Sequence, residues 1–215
     1  MSWSSGKDSA LALHRARGVL GLDVSRLLVS INAEADRVSM HAVRSELLAL
    51  QADRLGLALH RVSLPWPCPN DVYEAAMRDA VQVARDDGTS EMVFGDLFLD
   101  DVRAYREANF VGTGITPVFP LWGEPTDRLA REMIDIGVRA VLTCVDPAVL
   151  PADFAGRPFD AELLDDLPDG VDPCGERGEF HTFVWDGPGF SSPIPIERGE
   201  VVERDGFVFC DVLSA

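Results

Sequence analysis

Lysine is almost missing from this sequence, and its one occurrence is Lys7. Acidic residues outnumber basic ones by 36 to 19, which gives a formal net charge of −17 at pH 7. Proteins that hold nucleic acid usually neutralise its phosphates with clustered lysine and arginine. No such cluster occurs in this sequence. We therefore expect no nucleic-acid partner.

Cysteine is also scarce, with four residues and no C-x-x-C pair. This spacing indicates neither a zinc knuckle nor a disulfide framework, and it predicts reduced thiols in or near the core. No run approaches the roughly 18 apolar residues that a membrane span needs. The polar N-terminus lacks the apolar segment of a signal peptide. These absences predict a cytoplasmic protein without a membrane partner.

The clearest positive signal is the hexapeptide S-S-G-K-D-S at residues 4–9, which runs directly into an apolar helical pattern. A small polar turn at a helix N-terminus exposes backbone N–H groups, and the helix dipole adds positive potential. Such a turn is suited to binding phosphate. Lys7 adds a mobile cation, and Asp8 offers an oxygen ligand for Mg²⁺. A serine-rich cap of an ordinary helix is the alternative interpretation.

The hexapeptide does not have the spacing of a Walker A loop. It resembles the S-G-G-x-D-S phosphate loop of N-type ATP pyrophosphatases, which cleave ATP to AMP and pyrophosphate. Ser5 stands where that pattern usually has a second glycine, and serine tolerates positive φ less well. The resemblance implies that the chain binds ATP and Mg²⁺, with Asp8 as the metal ligand. The loop residues implied for ATP are Ser4, Ser5, Gly6, Lys7, Asp8 and Ser9.

Short apolar runs alternate with amphipathic stretches over most of the chain. The pattern predicts helices at 8–18, 38–56, 71–87 (capped by Asn70 or Asp71), 101–110 and 126–136. It predicts strands at 24–31, 59–64, 91–94, 114–120 and 140–145, then at 180–184 and 201–212 with a turn at Asp205-Gly206. Strands that alternate with helices indicate a parallel sheet. We expect an α/β fold with an open parallel sheet at 1–122 and a smaller α+β lobe at 123–215.

Only residues 1–3 precede the hexapeptide. In open α/β folds the phosphate turn follows a central strand, and strands are usually about five residues long. The sequence therefore predicts either a shortened first strand or a start codon further upstream. We favour the upstream start codon.

Two further segments concentrate chemically active residues: F-G-D at 94–96 with D-D-V-R-A-Y-R-E at 100–107, and D-P-C-G-E-R-G-E-F-H-T at 172–182. With the hexapeptide and F-P-L-W at 119–122, they resemble the diphthine–ammonia ligase family, most closely its bacterial branch. The resemblance covers nearly the whole chain. It implies a fold of the adenine nucleotide α-hydrolase (Rossmann-like) type, with an ATP pyrophosphatase domain at 1–122 and an acceptor-substrate domain at 123–215. It also places His41 near the adenine or ribose.

The family reaction couples ATP cleavage to amide formation. A substrate carboxylate attacks the α-phosphorus, pyrophosphate leaves, and ammonia then attacks the acyl-adenylate. In the eukaryotic and archaeal branch the carboxylate belongs to diphthine on elongation factor two, a modification that bacteria lack. The resemblance thus implies a different carboxylate, on a small molecule or a protein, with ammonia as co-substrate; the oligomeric state stays open, a homodimer included. A nucleotide-binding or nucleotide-sensing protein without turnover is the alternative function.

The expected catalytic residues are Lys7, Asp96, Glu176, Glu179 and His181. Asp96 follows a strand at the edge where ligands of α/β sheets collect, and a turn role for it is equally open. Glu179 and His181 alternate with Phe180, so on a strand they share a face. There a carboxylate can orient the imidazole or take a proton from ammonium.

Two arginines and a cysteine near these segments leave alternatives open. Arg103 and Arg106 lie three residues apart on a predicted helix and share a face. They can clamp a carboxylate or phosphate, or pair with neighbouring acids such as Glu107. Cys174 is expected to be a structural thiol rather than a nucleophile.

Overall fold

The structure is a computed structural model that describes residues 1–38 and 43–215. The α-helices within these residues are α1 (Lys7–Gly18), α2 (Ser45–Leu55), α3 (Asn70–Asp86), α4 (Asp100–Phe110), α5 (Thr126–Asp135) and α6 (Ala161–Asp166), with a 3-10 turn at Ala152–Phe154. The strands are β1 (Arg26–Asn32), β2 (Arg37–Val38), β3 (Ala58–Leu64), β4 (Glu91–Val93), β5 (Thr116–Val118), β6 (Arg139–Val145), β7 (Phe180–Asp186), β8 (Ile196–Arg204) and β9 (Phe207–Ser214). The expected mixed α/β class is confirmed.

The N-terminal part contains the parallel strands that the alternating pattern predicts. β1 pairs with β3 in parallel along its whole length, and β4 pairs with β5 in parallel. Residues 1–3 lie between β1 and β4: the backbone N–H of Ser2 donates to the Val93 carbonyl at 2.9 Å, and that of Trp3 to the Leu28 carbonyl at 2.8 Å. These three residues occupy the central place of a first strand, so the hexapeptide emerges in the middle of the sheet. The upstream start codon stays a prediction.

The C-terminal part is built on an antiparallel sheet in the order β7-β6-β9-β8. β8 and β9 are joined by Asp205 and Gly206, whose φ values of 53° and 83° are both positive. Two positive φ values are typical of the tight hairpin turn that follows the right-handed twist of its strands. The predicted hairpin is confirmed.

One continuous core joins the two parts. It includes Leu11 of α1, Leu47 of α2, Leu142 of β6 and Phe183 of β7, all with no exposed surface. The antiparallel sheet therefore packs on the same face of the parallel sheet as α1 and α2. A second, smaller core lies on the opposite face beneath α3 and α4. The division at residues 122 and 123 stays a prediction, because apolar packing crosses it.

Two local predictions are wrong. Residues 37–38 form β2, paired antiparallel with Ile31 and Asn32 of β1, and α2 begins only at Ser45. The N-cap of α3 is Pro69, with no side-chain cap, so Asn70 is already helical. The pyrrolidine ring of Pro69 holds the φ of this residue near the observed −61°, which is close to helical values. The helix therefore starts without a polar cap.

Candidate functional site

The hexapeptide forms a loop whose strain lies at Ser5. This residue has a φ of 72°, in the left-handed region where glycine is favoured. Its side chain is fully buried, and its hydroxyl has no hydrogen-bond partner among the described residues. Ser5 therefore adopts a conformation that glycine would adopt without this steric cost.

A buried glutamine holds this loop in place. The Gln51 side chain, on α2, accepts a hydrogen bond from Trp3 Nε1 at 2.8 Å and donates to the carbonyls of Ser5 at 3.0 Å and Val184 at 2.6 Å. The backbone N–H of Val184 also donates to the Ser5 carbonyl. Sequence reasoning missed Gln51, although a signal existed: it interrupts the apolar series of Leu47 and Leu55 at helical spacing.

The open side of the loop carries hydroxyl and N–H donors. Ser4 Oγ and Ser9 Oγ lie 2.9 Å apart, and the backbone N–H of Gly6 donates to Ser4 Oγ at 3.3 Å. In residues 1–38 and 43–215, no hydrogen bond uses the backbone N–H of Ser9. A Cβ at Gly95 would lie 3.1 Å from this Ser9 nitrogen, so only glycine lets the end of β4 approach so closely.

Lys7 is buried rather than mobile, which contradicts one expectation. Its side chain is 2% exposed, and its Nζ lies 5.5 Å from the ring centre of Phe159 and 5.2 Å from that of Phe180. The ammonium donates to both carboxylate oxygens of Asp8, at 3.0 and 2.9 Å, and to the Cys174 carbonyl. These contacts join the first turn of α1 to the C-terminal segment.

The Lys7–Asp8 pair is electrostatically coupled. Burial is the largest single influence on the pKa of Lys7 and acts to lower it, but the charges around the ammonium, that of Asp8 foremost, together outweigh burial and raise this pKa above its usual value. Burial raises the pKa of Asp8, against the opposing effect of the Lys7 ammonium. A buried ammonium needs such a partner, because an unpaired charge at this depth costs several kcal/mol, of the order of 3–5 when one partner is removed.

Residues 172–179 form a compact turn whose acids hold backbone groups. Asp172 accepts hydrogen bonds from the Cys174 N–H and from Thr126 Oγ1, each at 2.8 Å. Glu179 accepts from the N–H groups of Asp172 at 3.1 Å and Arg177 at 2.9 Å. Satisfying several backbone donors with two carboxylates fixes the shape of the turn.

This turn corrects the expectation that Glu179 and His181 share a face. β7 begins at Phe180, so Glu179 precedes the strand and its carboxylate points into the turn. A Cβ on Gly175, whose φ is 68°, would lie 2.8 Å from the Phe180 carbonyl, so the turn also requires glycine there. Cys174 donates its thiol to the Thr126 carbonyl at 3.3 Å, and burial raises its pKa, which fits the expected structural thiol.

Glu176 and His181 have shifted pKa values because both are largely removed from water. Glu176 accepts a hydrogen bond from the Leu97 N–H at 2.8 Å, and burial raises its pKa to about 7. Burial, helped by the Lys7 charge, lowers the pKa of His181 to about 4. At neutral pH the imidazole is therefore uncharged, while Glu176 exchanges a proton readily.

Asp96 is held by Arg106. The guanidinium of Arg106 binds both oxygens of Asp96, at 2.6 and 3.1 Å, and stacks 4.6 Å from the ring centre of Phe94. Arg103 instead pairs with Glu107 at 2.8 Å, as one of the alternatives predicted. The two arginines thus differ: Arg103 pairs with a surface acid, whereas Arg106 pairs with an acid that follows β4.

A cavity of about 410 Å³ lies where these elements meet. The predicted site residues that line it are Ser4, Lys7, Asp8, Ser9, Asp96, Glu176 and His181. Ser5 and Gly6 shape the loop behind it, and Glu179 lies in the turn. His41 lies outside the described residues. The catalytic, nucleotide and metal roles of all these residues stay predictions.

Two absences concern the part of the chain that the structure describes. No group of three or more histidine, cysteine, aspartate or glutamate side chains there is arranged to hold a metal ion. No helix there combines the length and hydrophobicity that crossing a bilayer demands.

All four cysteines are free, and Cys144, Cys174 and Cys210 are buried, which confirms the predicted thiols.

Two family models cover nearly the whole chain. Residues 1–107 match the diphthamide synthase N-terminal domain, and residues 125–212 match the diphthamide synthase C-terminal domain. The chain belongs to the diphthamide synthase family. The family resemblance drawn from the hexapeptide and the two later segments is therefore confirmed.

Curated members of the diphthamide synthase family that resemble this chain are named diphthine–ammonia ligases. The bovine protein (Bos taurus) is 26% identical over 197 residues, covering 83% of this chain and 73% of its own length. The rat protein (Rattus norvegicus) is 26% identical over 233 residues, covering 97% of this chain and 86% of its own length. The zebrafish protein (Danio rerio) is 27% identical over 194 residues, covering 83% of this chain and 76% of its own length.

Among solved structures, the chain is similar to a Methanocaldococcus jannaschii protein described as a predicted subunit of tRNA methyltransferase. The TM-score is 0.44 at 16% identity, covering 90% of this chain and 100% of the other.

Proposed function

We propose that this protein is an ATP-dependent amide ligase. It adenylates a substrate carboxylate, releases pyrophosphate and transfers ammonia to the activated acyl group. The ligase class is supported by the family and by the names of its curated relatives. The AMP-forming chemistry is supported by the cavity, in which the hexapeptide loop faces Glu176 and His181 from the other part of the chain. That juxtaposition is the observation that carries the proposal.

The loop residues fit a triphosphate. Phosphate oxygens need several aligned donors, and the loop offers the N-terminus of α1, the hydroxyls of Ser4 and Ser9, and the N–H of Ser9. Gly95 has no side chain to cover this N–H, whereas a Cβ at that position would lie 3.1 Å from the nitrogen. As pyrophosphate departs, these fixed donors stabilise the charge that develops on the leaving oxygens.

Asp8 fits the role of a magnesium ligand. Magnesium is commonly held by one or two carboxylates together with substrate phosphates, and it would neutralise charge on them. Asp8 lines the cavity beside the loop, and its side chain is 24% exposed. Its Lys7 partner keeps the carboxylate oriented at the mouth of the loop. Lys7 therefore acts by holding Asp8 and the Cys174 carbonyl.

Glu176 fits the role of the base that makes ammonia. Ammonium must lose a proton before nitrogen can attack an acyl group, and a base with a pKa near neutrality does this efficiently. The pKa of Glu176 is raised to about 7 by burial, and the hydrogen bond from the Leu97 N–H holds the carboxylate in place. His181, which lines the same cavity, remains neutral and adds no charge to it.

The test is a nucleotide assay of the full chain. Protein, Mg²⁺, ammonium and α-labelled ATP are incubated with a panel of carboxylic acids, and the nucleotides are separated. We expect AMP and pyrophosphate that depend on the acid. Glu176→Gln should lower AMP formation at least about tenfold, while ATP affinity stays within about twofold.

Glu162→Gln is the matched control, because Glu162 is an exposed acid on α6 away from the cavity. It should leave AMP formation unchanged. Production of ADP and phosphate would reject the proposal. Tight ATP binding without any cleavage would instead support the alternative, a nucleotide-sensing protein.

A further inference from the structure

A second cavity of about 270 Å³ lies between α3 and α4. Helices on one face of a parallel sheet normally pack against each other and against the strands. Here α4 buries only Phe110 among its 11 residues, and α3 buries Ala80, Val81 and Ala84 among its 17. The groove between these helices, which we call the α3–α4 groove, is therefore an opening where packed side chains are expected.

The α3–α4 groove adjoins the cavity of the candidate site. Four side chains line both spaces: Tyr73 and Met77 from α3, Phe94 at the end of β4, and Arg106 from α4. These four side chains therefore form a wall that the groove shares with the cavity of the loop, Asp8 and Glu176. A ligand lying in the groove can place one end in the candidate site.

The chemistry of the α3–α4 groove is apolar with a cationic rim. Val81 and Phe110 form its buried floor, and Tyr105 and Val111 are 42% and 81% exposed at its side. The charged residues that line it are Glu74, Arg78, Arg85 and Arg106. Three arginines against one glutamate make it locally positive in a chain whose net charge is −17.

The ion pairs of these arginines do not neutralise all of the positive charge in the groove. Arg78 lies 3.7 Å from Glu74, a weak exposed pair, and Arg106 is bound to Asp96. Within residues 1–38 and 43–215, Arg85 has no ion pair. An occupant that complements this surface has an apolar body and an anionic end.

We propose that the α3–α4 groove binds the body of the acceptor, and that the acceptor is a small carboxylic acid with an aliphatic or aromatic body. Its carboxylate passes between Met77 and Arg106 into the candidate site. This inference rests on the proposed ligase function and assigns its substrate class. Arg106 is then a specificity-determining residue, because it lines both spaces and its pairing with Asp96 fixes its side chain where they meet.

The test fills the groove from its exposed side. Asn109 and Ala108 are adjacent exposed residues of α4, and only Asn109 lines the groove. Binding of octanoate, 4-phenylbutyrate and acetate is measured by calorimetry for the wild type, Asn109→Trp and Ala108→Trp. We expect the two larger acids to bind at least about tenfold more tightly than acetate, because the groove buries their apolar bodies, and we expect Asn109→Trp to remove this advantage, because the indole fills that space.

Ala108→Trp should leave all three affinities within about twofold, and neither substitution should change ATP affinity. Equal loss of ATP and octanoate binding in Asn109→Trp would show that the groove holds the nucleotide, which overturns the inference. Equal binding of the larger acids by the wild type and Asn109→Trp also overturns it.

Two other outcomes separate this inference from the proposed function. AMP formation that depends on acetate, with no preference for larger acids, overturns the inference and leaves the ligase function standing. Groove-dependent acid binding without AMP formation from any acid rejects the function and, with it, the acceptor role. A wild-type dimer that Asn109→Trp dissociates would show that a second copy covers the groove, which also overturns the inference.

Discussion

The two faces of the parallel sheet differ in how completely they are covered. On one face α1 buries seven of its 12 residues and packs beneath the antiparallel sheet of the C-terminal part. On the other face α4 buries one of its 11 residues and leaves a groove beside α3. A densely packed face stabilises the fold, whereas a sparsely packed face leaves surface for binding. The candidate site lies at the end of the sheet, in contact with both.

The largest expected difference concerns core truncation. Leu48→Ala removes a fully buried side chain from α2 and should lower the free energy of unfolding by about 2–5 kcal/mol. Met77→Ala removes a half-buried side chain that already borders a groove, so it should cost less than half as much. Urea unfolding of both variants measures the difference. Equal losses would contradict the comparison between the two faces.

A second pair of variants compares glutamines on the two faces. Gln51→Leu leaves the Trp3 indole N–H and the Val184 carbonyl without partners in the core, which should cost about 2–4 kcal/mol. Gln82→Leu, on α3, removes only an exposed contact to Asp86 and should stay within about 0.5 kcal/mol. Denaturant midpoints measure both. A Gln51→Leu variant as stable as Gln82→Leu would show that the loop does not depend on α2.

The third prediction concerns pH. The folded pKa of Glu176 is raised to about 7, so its contribution to stability is complete below the unfolded pKa near 4.5 and declines as pH rises to 7. The folded pKa of His181 is lowered to about 4, so its contribution changes in the opposite sense: stability falls as pH drops from about 6.5 to 4. Between pH 4.5 and 6.5 the two slopes partly cancel.

Single substitutions should separate these slopes. Glu176→Gln should leave stability rising with pH between 4.5 and 6.5, and His181→Gln should leave it falling, each by about 1–3 kcal/mol across the range. Thermal or urea unfolding at half-unit pH steps measures this. Parallel profiles in the two variants would mean that burial does not shift the pKa values of Glu176 and His181 in opposite directions.

The smallest expected effect is an increase in the free energy of unfolding. Ser5→Gly removes a left-handed serine and a buried hydroxyl that lacks a partner, and it should raise the free energy of unfolding by up to about 1 kcal/mol. Ser5→Ala is the control, because it removes the hydroxyl and keeps the backbone strain. If Ser5→Ala is stabilised as much as Ser5→Gly, the strain at this φ contributes nothing.

Most elements of the fold were predictable because their signals are local. Gly18 and Gly56 mark helix ends at or next to the observed ones, and Asp205-Gly206 marks the hairpin. The β2 strand was not predictable, because two residues carry no periodicity and their strand state depends on pairing with Ile31 and Asn32 of β1. The cap of α3 was misread because asparagine before an amphipathic stretch resembles a cap whether or not it is one.

The candidate site was predictable in its residue types and less so in its geometry. The motifs named Lys7, Asp96 and Glu176, and all three line the cavity. The sequence did not reveal that Lys7 is held by the Cys174 carbonyl or Asp96 by Arg106, because these contacts join positions distant along the chain. The role of Gln51 also depends on a strand more than a hundred residues away, so only its unusual place in an apolar series signals it.

The single lysine has a practical consequence for chemical labelling. An acylating reagent directed at side-chain amines has one target in this protein, and that amine is covered by two aromatic rings and neutralised by a carboxylate. Lys7 can be modified only when the first turn of α1 separates from the C-terminal segment. The rate of acylation therefore reports how often the two parts of the chain come apart, without any engineered probe.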